Sequence, residues 1–231
     1  MSHKEEKNAE LELDHTLIET THKVETLYVT YKKQINIAVV TAILVVAGYI
    51  SFNKFYIEPL EKEASAAIFT AQNLFEKDSF DLALNGQGDA LGFIAVADEY
   101  SLTKVGNLAH YYAGVCYMRK GEFQNAVDQL DDFSTKNELV GPLAIGLKGD
   151  AFVELKEVDK GAKLYMKAAG MSKNKLTAPI FLKKAGLAYE ELKEYKDAIS
   201  AYEKIKSDYS DAQEAQDIDK FIARATAAQA N

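Results

Sequence analysis

No charged residue occurs in the 20 positions from Gln34 to Asn53, where Ile, Val, Ala and Leu dominate every helical face, with Thr41 in the middle of the run. At about 1.5 Å per residue they form a helix about 30 Å long, the thickness of a bilayer's hydrocarbon. A helix without a polar stripe has no face to turn toward water, so the pattern predicts a membrane span. Tyr28 and Tyr31 precede the span, and Tyr49, Phe52, Phe55 and Tyr56 mark its exit, where amphipathic rings suit the interface. Ahead of it, Leu13, Leu17, Thr21, Val24, Tyr28, Tyr31 and Ile35 recur at steps of three and four, one face of an amphipathic helix. Residues 1–10 are mostly charged and polar and predict disorder. Beyond Pro59 the pattern becomes helical throughout. Ala, Leu and Tyr sit in segments separated by short polar or glycine-bearing turns, with hardly any two-residue alternation.

The helical part repeats itself. AGVCYMRKGEFQNAVDQLDDF from Ala113, KGDAFVELKEVDKGAKLYMKA from Lys148 and AGLAYEELKEYKDAISAYEKI from Ala185 superpose, with Gly114, Gly149 and Gly186 spaced 35 and 37 residues apart. Each glycine is followed after three residues by an aromatic (Tyr117, Phe152, Tyr189). An aromatic or branched residue comes nine after it (Phe123, Val158, Tyr195) and a small one twelve after it (Ala126, Gly161, Ala198). Small residues are needed where the two helices of a hairpin cross, and the rings fill the space between hairpins. One hairpin buries only part of its apolar surface, so stability comes from stacking neighbours. Phe80 and Ala83 mark an earlier, degenerate copy, interrupted by Asn85-Gly86-Gln87-Gly88. That loop is no phosphate cradle, since no strand precedes it and no Lys-Ser or Lys-Thr follows.

The segments, their period and their small and aromatic positions resemble the tetratricopeptide repeat family. The resemblance implies an all-α chain: a single N-terminal transmembrane helix followed by a right-handed superhelix of helix hairpins. The expected division is 1–33 tail with amphipathic juxtamembrane helix, 34–57 transmembrane helix, 58–106 degenerate repeat with a glycine-rich insertion, 107–210 three repeats and 211–231 capping helix. In such stacks the first helix of each pair lines a concave groove. Matching positions here are Leu108, Tyr111, Val115, Met118 and Arg119, then Leu143, Asp150, Val153 and Glu154, then Ile180, Lys183, Leu187, Glu190 and Glu191. Some relatives grip a terminal carboxylate with Lys and Asn on this surface. Tyr111, Val115, Asp150 and Glu154 stand there instead, so that activity is not expected.

The whole layout also resembles the ancillary SecYEG translocon subunit family of bacterial inner-membrane proteins. That resemblance implies an accessory of the Sec translocon that associates with channel subunits and with periplasmic chaperones or prolyl isomerases, or that binds emerging chains. Two alternatives stay open from sequence: an import or organelle receptor with cytosol-facing repeats, and a cell-envelope assembly factor. Lys23, Lys32 and Lys33 before the span against Lys54 and Lys62 after it orient the N terminus to the cytoplasm, which puts the repeats in the periplasm.

Charge and chemistry narrow this further. The net charge of −8 with no basic cluster argues against nucleic acid as a partner. One cysteine, Cys116, allows neither an internal disulfide nor a cysteine-based zinc site. It also lies too far along for a lipid anchor, and no Ala-x-Ala follows the apolar run, so an uncleaved anchor is expected. His15 and His22 are too far apart to share a metal without further ligands, His3 is a solvated tail residue, and His110 is read as a packed imidazole. No Ser, His and acid grouping has catalytic spacing, and Asp131-Asp132 reads as a wet helix face. No enzyme, cofactor or metal is expected.

Overall fold

The computed structural model describes residues 3–171 and 174–230, with side-chain surroundings from Tyr28 onward. It divides into two units, Met1–Glu58 and Pro59–Asn231.

In the first unit helix α1 runs over His3–Phe52 and a π-helical turn follows at Asn53–Ile57. The polar stretch through Glu10, expected to be disordered, is helical from His3. Its Glu, Lys and Ala are good helix formers, a preference that outweighs the lack of an apolar face. The amphipathic face at Leu13, Leu17, Thr21 and Val24 and the tail histidines lie outside the residues with described side chains. From Tyr28 to Phe52 every side chain is exposed, Ile37, Val40, Ile43, Leu44 and Val46 included. The core helix of a soluble protein would be covered, whereas this one is long and apolar enough to cross a membrane and bare on all sides. The hydroxyl of Thr41 donates to the Ile37 carbonyl at 2.8 Å, so this polar side chain in the middle of the apolar run is satisfied by its own helix.

The second unit is all helix, with an isolated Gln87–Ala90 bridge as the one β-type pairing among the described residues. Helices α2 (Glu58–Glu76), α3 (Phe80–Asn85) and α4 (Phe93–Glu99) precede three hairpins. These pair α5 (Lys104–Lys120) with α6 (Phe123–Asp132), α7 (Val140–Glu154) with α8 (Val158–Met171), and α9 (Ala178–Glu191) with α10 (Tyr195–Asp208). A 3-10 turn at Gln213–Ala215 leads to α11 (Ile218–Gln229).

The repeat is stamped most clearly on the turns. Asp78, Gly121, Lys156 and Lys193 all adopt the left-handed conformation, with φ of 55, 75, 66 and 61°. After each, the next N–H reaches back to close the preceding helix: Ser79 to Leu74, Glu122 to Tyr117, Glu157 to Phe152 and Glu194 to Tyr189, at 2.8–2.9 Å. This is the Schellman arrangement, in which a glycine suits the left-handed position. Only Gly121 supplies one. A left-handed L-residue costs about 1–2 kcal/mol, offset by the extra freedom a glycine gives the unfolded chain, about 0.5–1 kcal/mol. Lys156→Gly and Lys193→Gly are therefore each expected to stabilise the stack by about 0.5–1 kcal/mol, read as a rise in the urea midpoint. A fall at both sites would contradict the turn geometry.

The crossing of each hairpin repeats as well. Gly114, Gly149 and Gly186 each lie under a side chain 16 residues on: Leu130, Tyr165 and Tyr202. A Cβ on Gly114 would come within 2.7 Å of Leu130, and one on Gly149 within 2.8 Å of the Tyr165 ring. Ala83, Ala126, Gly161 and Ala198 are buried on the opposing helices. The glycines therefore admit a large side chain between the helices, beyond bringing the backbones together.

Two apolar cores result. One joins α2, α3, α4 and α5, where Phe93 stacks on Tyr112 with ring centroids 5.0 Å apart. The glycine-rich stretch between α3 and α4 is a tight reversal: Gln87 and Ala90 exchange two backbone hydrogen bonds of 3.1 Å, and Gly86 takes φ +91°. The other core joins α8, α9, α10 and α11 around Tyr165, Phe181, Tyr202, Ile205 and Ile218. The chain leaves α6 at Asp132 after 10 residues, against 14 in α8 and α10.

Candidate protein-binding groove

The matching positions on α5, α7 and α9 fall on two adjacent lines along each helix. Steps of seven and four residues bring Leu108, Val115 and Arg119 onto one line of α5; Leu143, Asp150 and Glu154 onto that of α7; and Ile180, Leu187 and Glu191 onto that of α9. These lines face outward. Leu143, Ile180 and Leu187 are 38, 37 and 44% exposed, Arg119, Glu154 and Glu191 are exposed, and Leu108, Val115 and Asp150 are half-buried.

The second line carries Tyr111 and Met118, Gly146 and Val153, and Lys183 and Glu190. Most of it is occupied by packing. Phe133, released from the end of α6, lays its ring on Tyr111 at 5.3 Å, held there by Ser134 and Asn107, which exchange hydrogen bonds of 2.8 and 2.9 Å. Phe181 covers Gly146, and Val153 packs on Gly161. Lys183 lies over the Phe221 ring, 4.5 Å from its centroid, and its ammonium donates to Asp217 at 2.8 Å. Met118 is half-buried. Among the residues expected in the groove, Leu108, Val115, Arg119, Ile180 and Leu187 share the outward lines. Tyr111, Val153 and Lys183 turn to neighbouring elements of the stack.

The packing residues form linked polar sets at the crossings. The Tyr165 hydroxyl passes over Gly149 to donate to Asp150 at 2.6 Å, and Lys184 of the next hairpin donates to the same carboxylate at 2.7 and 2.8 Å. Likewise Tyr202 passes over Gly186 and donates to Glu190 at 2.7 Å, where Arg224 adds a two-pronged contact at 2.8 and 2.9 Å. Burial and the acceptor carboxylate push both phenols above their ordinary value. Each cation lies 34 residues beyond its acid, so these bonds tie one hairpin to the next.

Sequence reasoning overlooked a motif. Asn137-Glu138-Leu139-Val140-Gly141-Pro142 recurs as Asn174-Lys175-Leu176-Thr177-Ala178-Pro179. The Asn137 side chain accepts from the N–H groups of Leu139 and Val140, and Asn174 does the same for Leu176 and Thr177, at 2.7–3.0 Å. These asparagines order the entries to α7 and α9. The spacing of 37 residues was visible in the sequence, but it lies outside the helical segments that were superposed.

No group of three metal-ligating side chains exists among the described residues. Burial pushes the Cys116 thiol up to about 12, against a smaller opposing pull from Lys120, and it faces the core. His110 is half-buried and shares a hydrogen bond of 3.0 Å with Gln129. A cleft of about 270 Å³ opens where α6 ends early, lined by Leu130, Phe133, Ala144, Ile145 and Met171. The ion pair of Lys148 and Asp131 borders it.

The last helices are fastened by exposed ion pairs. Lys183 holds the Asp217 carboxyl, and Lys175 the Asp211 carboxyl, below their ordinary value of 3.8. A carboxyl lowered by folding contributes stability above its unfolded value and loses it as the pH falls through the lowered one. The melting temperature is therefore expected to drop on going from pH 6 to below about pH 3. The drop should be smaller in the Asp211→Asn/Asp217→Asn variant, and an equal drop in both would show that these pairs contribute nothing.

The fold defines an all-α protein of stacked helix hairpins, a type that is typically a non-catalytic scaffold for other proteins. Residues 184–212, from the second half of α9 through α10, match the family model described as tetratricopeptide repeat. Comparison with curated proteins finds no match.

Proposed function

We propose that the protein is a non-enzymatic scaffold, anchored by its apolar N-terminal helix, whose groove binds segments of other polypeptides. The supporting observation is the set of outward lines on α5, α7 and α9. They leave Leu143 and Ile180 exposed at equivalent positions of successive hairpins, with Leu187 exposed two turns further along α9, where a folded domain would otherwise cover them. Apolar positions repeated from hairpin to hairpin suit a polypeptide laid across the stack, since such a ligand offers side chains at regular intervals.

In this reading the N terminus is cytoplasmic and the hairpins lie in the periplasm, on the Lys distribution around the span. The layout's resemblance to the ancillary SecYEG translocon subunits makes channel subunits, periplasmic chaperones, prolyl isomerases and emerging chains the first partners to test. A photo-crosslinking residue placed at Leu143 or Ile180 in cells is expected to give discrete polypeptide adducts. The same residue at Lys204, on exposed α10, should not. Identical adducts at all three positions, or none at the first two, would refute the groove. Adducts that contain neither channel subunits nor chaperones would refute the translocon reading alone.

A further inference from the structure

The outward lines differ in chemistry from one end to the other. On α7 and α9 they begin with Leu143 and Ile180 and finish, 11 residues on, with Glu154 and Glu191, the last residues of their helices. Eleven residues at about 1.5 Å make the two edges about 16 Å apart, wide enough to seat one α-helix of about 10–12 Å diameter. An extended strand is narrower and would meet one edge only.

The glutamate edge is electrostatically exposed twice over. Carboxylates are unfavourable at a helix C terminus, where the backbone already presents partial negative charge, and neither α7 nor α9 has a basic residue in its last turn. Glu154 and Glu191 are exposed and have no ion pair among the described residues. The cations near the groove, by contrast, are committed: Lys183 to Asp217, Lys184 to Asp150 and Arg224 to Glu190. Arg119, at the equivalent position on α5, is the one exposed cation of the three lines. Over α7 and α9 the groove therefore offers an apolar edge facing a glutamate edge, with Lys156 and Lys193 following the two glutamates just beyond the helix ends.

We infer that the occupant of the α7–α9 part of the groove is an amphipathic helix of another polypeptide, with an apolar stripe against Leu143 and Ile180 and a basic stripe against Glu154 and Glu191. This inference rests on the groove reading above and names the chemistry of its ligand.

The test uses the full chain in nanodiscs of zwitterionic lipid, with empty nanodiscs as the blank, and three labelled synthetic helices. One is Leu/Lys in amphipathic register, the second has the same composition scrambled out of register, and the third is Leu/Glu in register. The first is expected to bind at least tenfold more tightly than the other two. Glu154→Lys/Glu191→Lys should reverse the preference between the Leu/Lys and Leu/Glu helices, and Leu143→Asp/Ile180→Asp should abolish binding of both. Glu203→Lys/Asp208→Lys on α10 should change neither.

Equal binding of the Leu/Lys and Leu/Glu helices overturns the inference, as does an equal response to the α10 control, which would mean attraction to net charge alone. Binding of no helix also overturns it. Groove adducts in the crosslinking experiment would then leave the groove reading standing without this ligand.

Discussion

Tyr202→Ala is expected to destabilise the hairpin stack by about 3–5 kcal/mol, the usual cost of truncating a fully buried aromatic ring. The ring is 0% exposed, sits over Gly186, and meets Phe221 of α11 at 5.5 Å between centroids. It therefore holds together both helices of the last hairpin and the helix that covers them. Tyr202→Phe separates ring from hydroxyl: it keeps the packing, removes the bond to Glu190 and should cost about 1 kcal/mol. Glu190 stays paired with Arg224, so the remaining carboxylate is not orphaned. Urea denaturation followed by far-UV circular dichroism reads both changes. Similar losses for the two variants would mean that the hydroxyl, and not the ring, carries the site.

Gly186→Val is the complementary change. A Cβ at this position would fall within the space of the Tyr202 ring, which is enclosed and cannot swing out to solvent. Overpacking of this kind costs about 1–3 kcal/mol. Because the conflict is with one side chain, the cost should largely vanish in a Tyr202→Ala background, where the added methyl groups occupy the vacated space. A double-mutant cycle measures this coupling, and strict additivity would show that Gly186 is needed for its backbone and not for the ring above it.

Much of this architecture was legible in the sequence because it rests on intervals within single helices. The uncharged run from Gln34 to Asn53, the 35- and 37-residue spacing of Gly114, Gly149 and Gly186, and the helical period beyond Pro59 all express local geometry. The groove was harder. Helical periodicity gathers the matching positions into one broad face. It takes no account of the neighbouring hairpin, and that neighbour covers the second line. Lys183 reads as a groove cation until Asp217, 34 residues later, is seen to claim it. Tyr111 reads as a free aromatic, yet the chain leaves α6 at Asp132 with neither glycine nor proline to announce the break, and Phe133 arrives on its ring. Lys156 and Lys193 hide the turns in a similar way, since the left-handed position there is imposed by the helices on either side and not by the residue's own preference.

The central claim is that an apolar helix holds this hairpin stack to a membrane, and alkaline carbonate extraction of cell membranes tests it most directly. The full chain is expected to remain in the membrane pellet, and a variant lacking residues 34–57 to appear in the supernatant as a folded helical protein. Release of the full chain by carbonate, with its α1 side chains still as bare as they are here, would contradict the account.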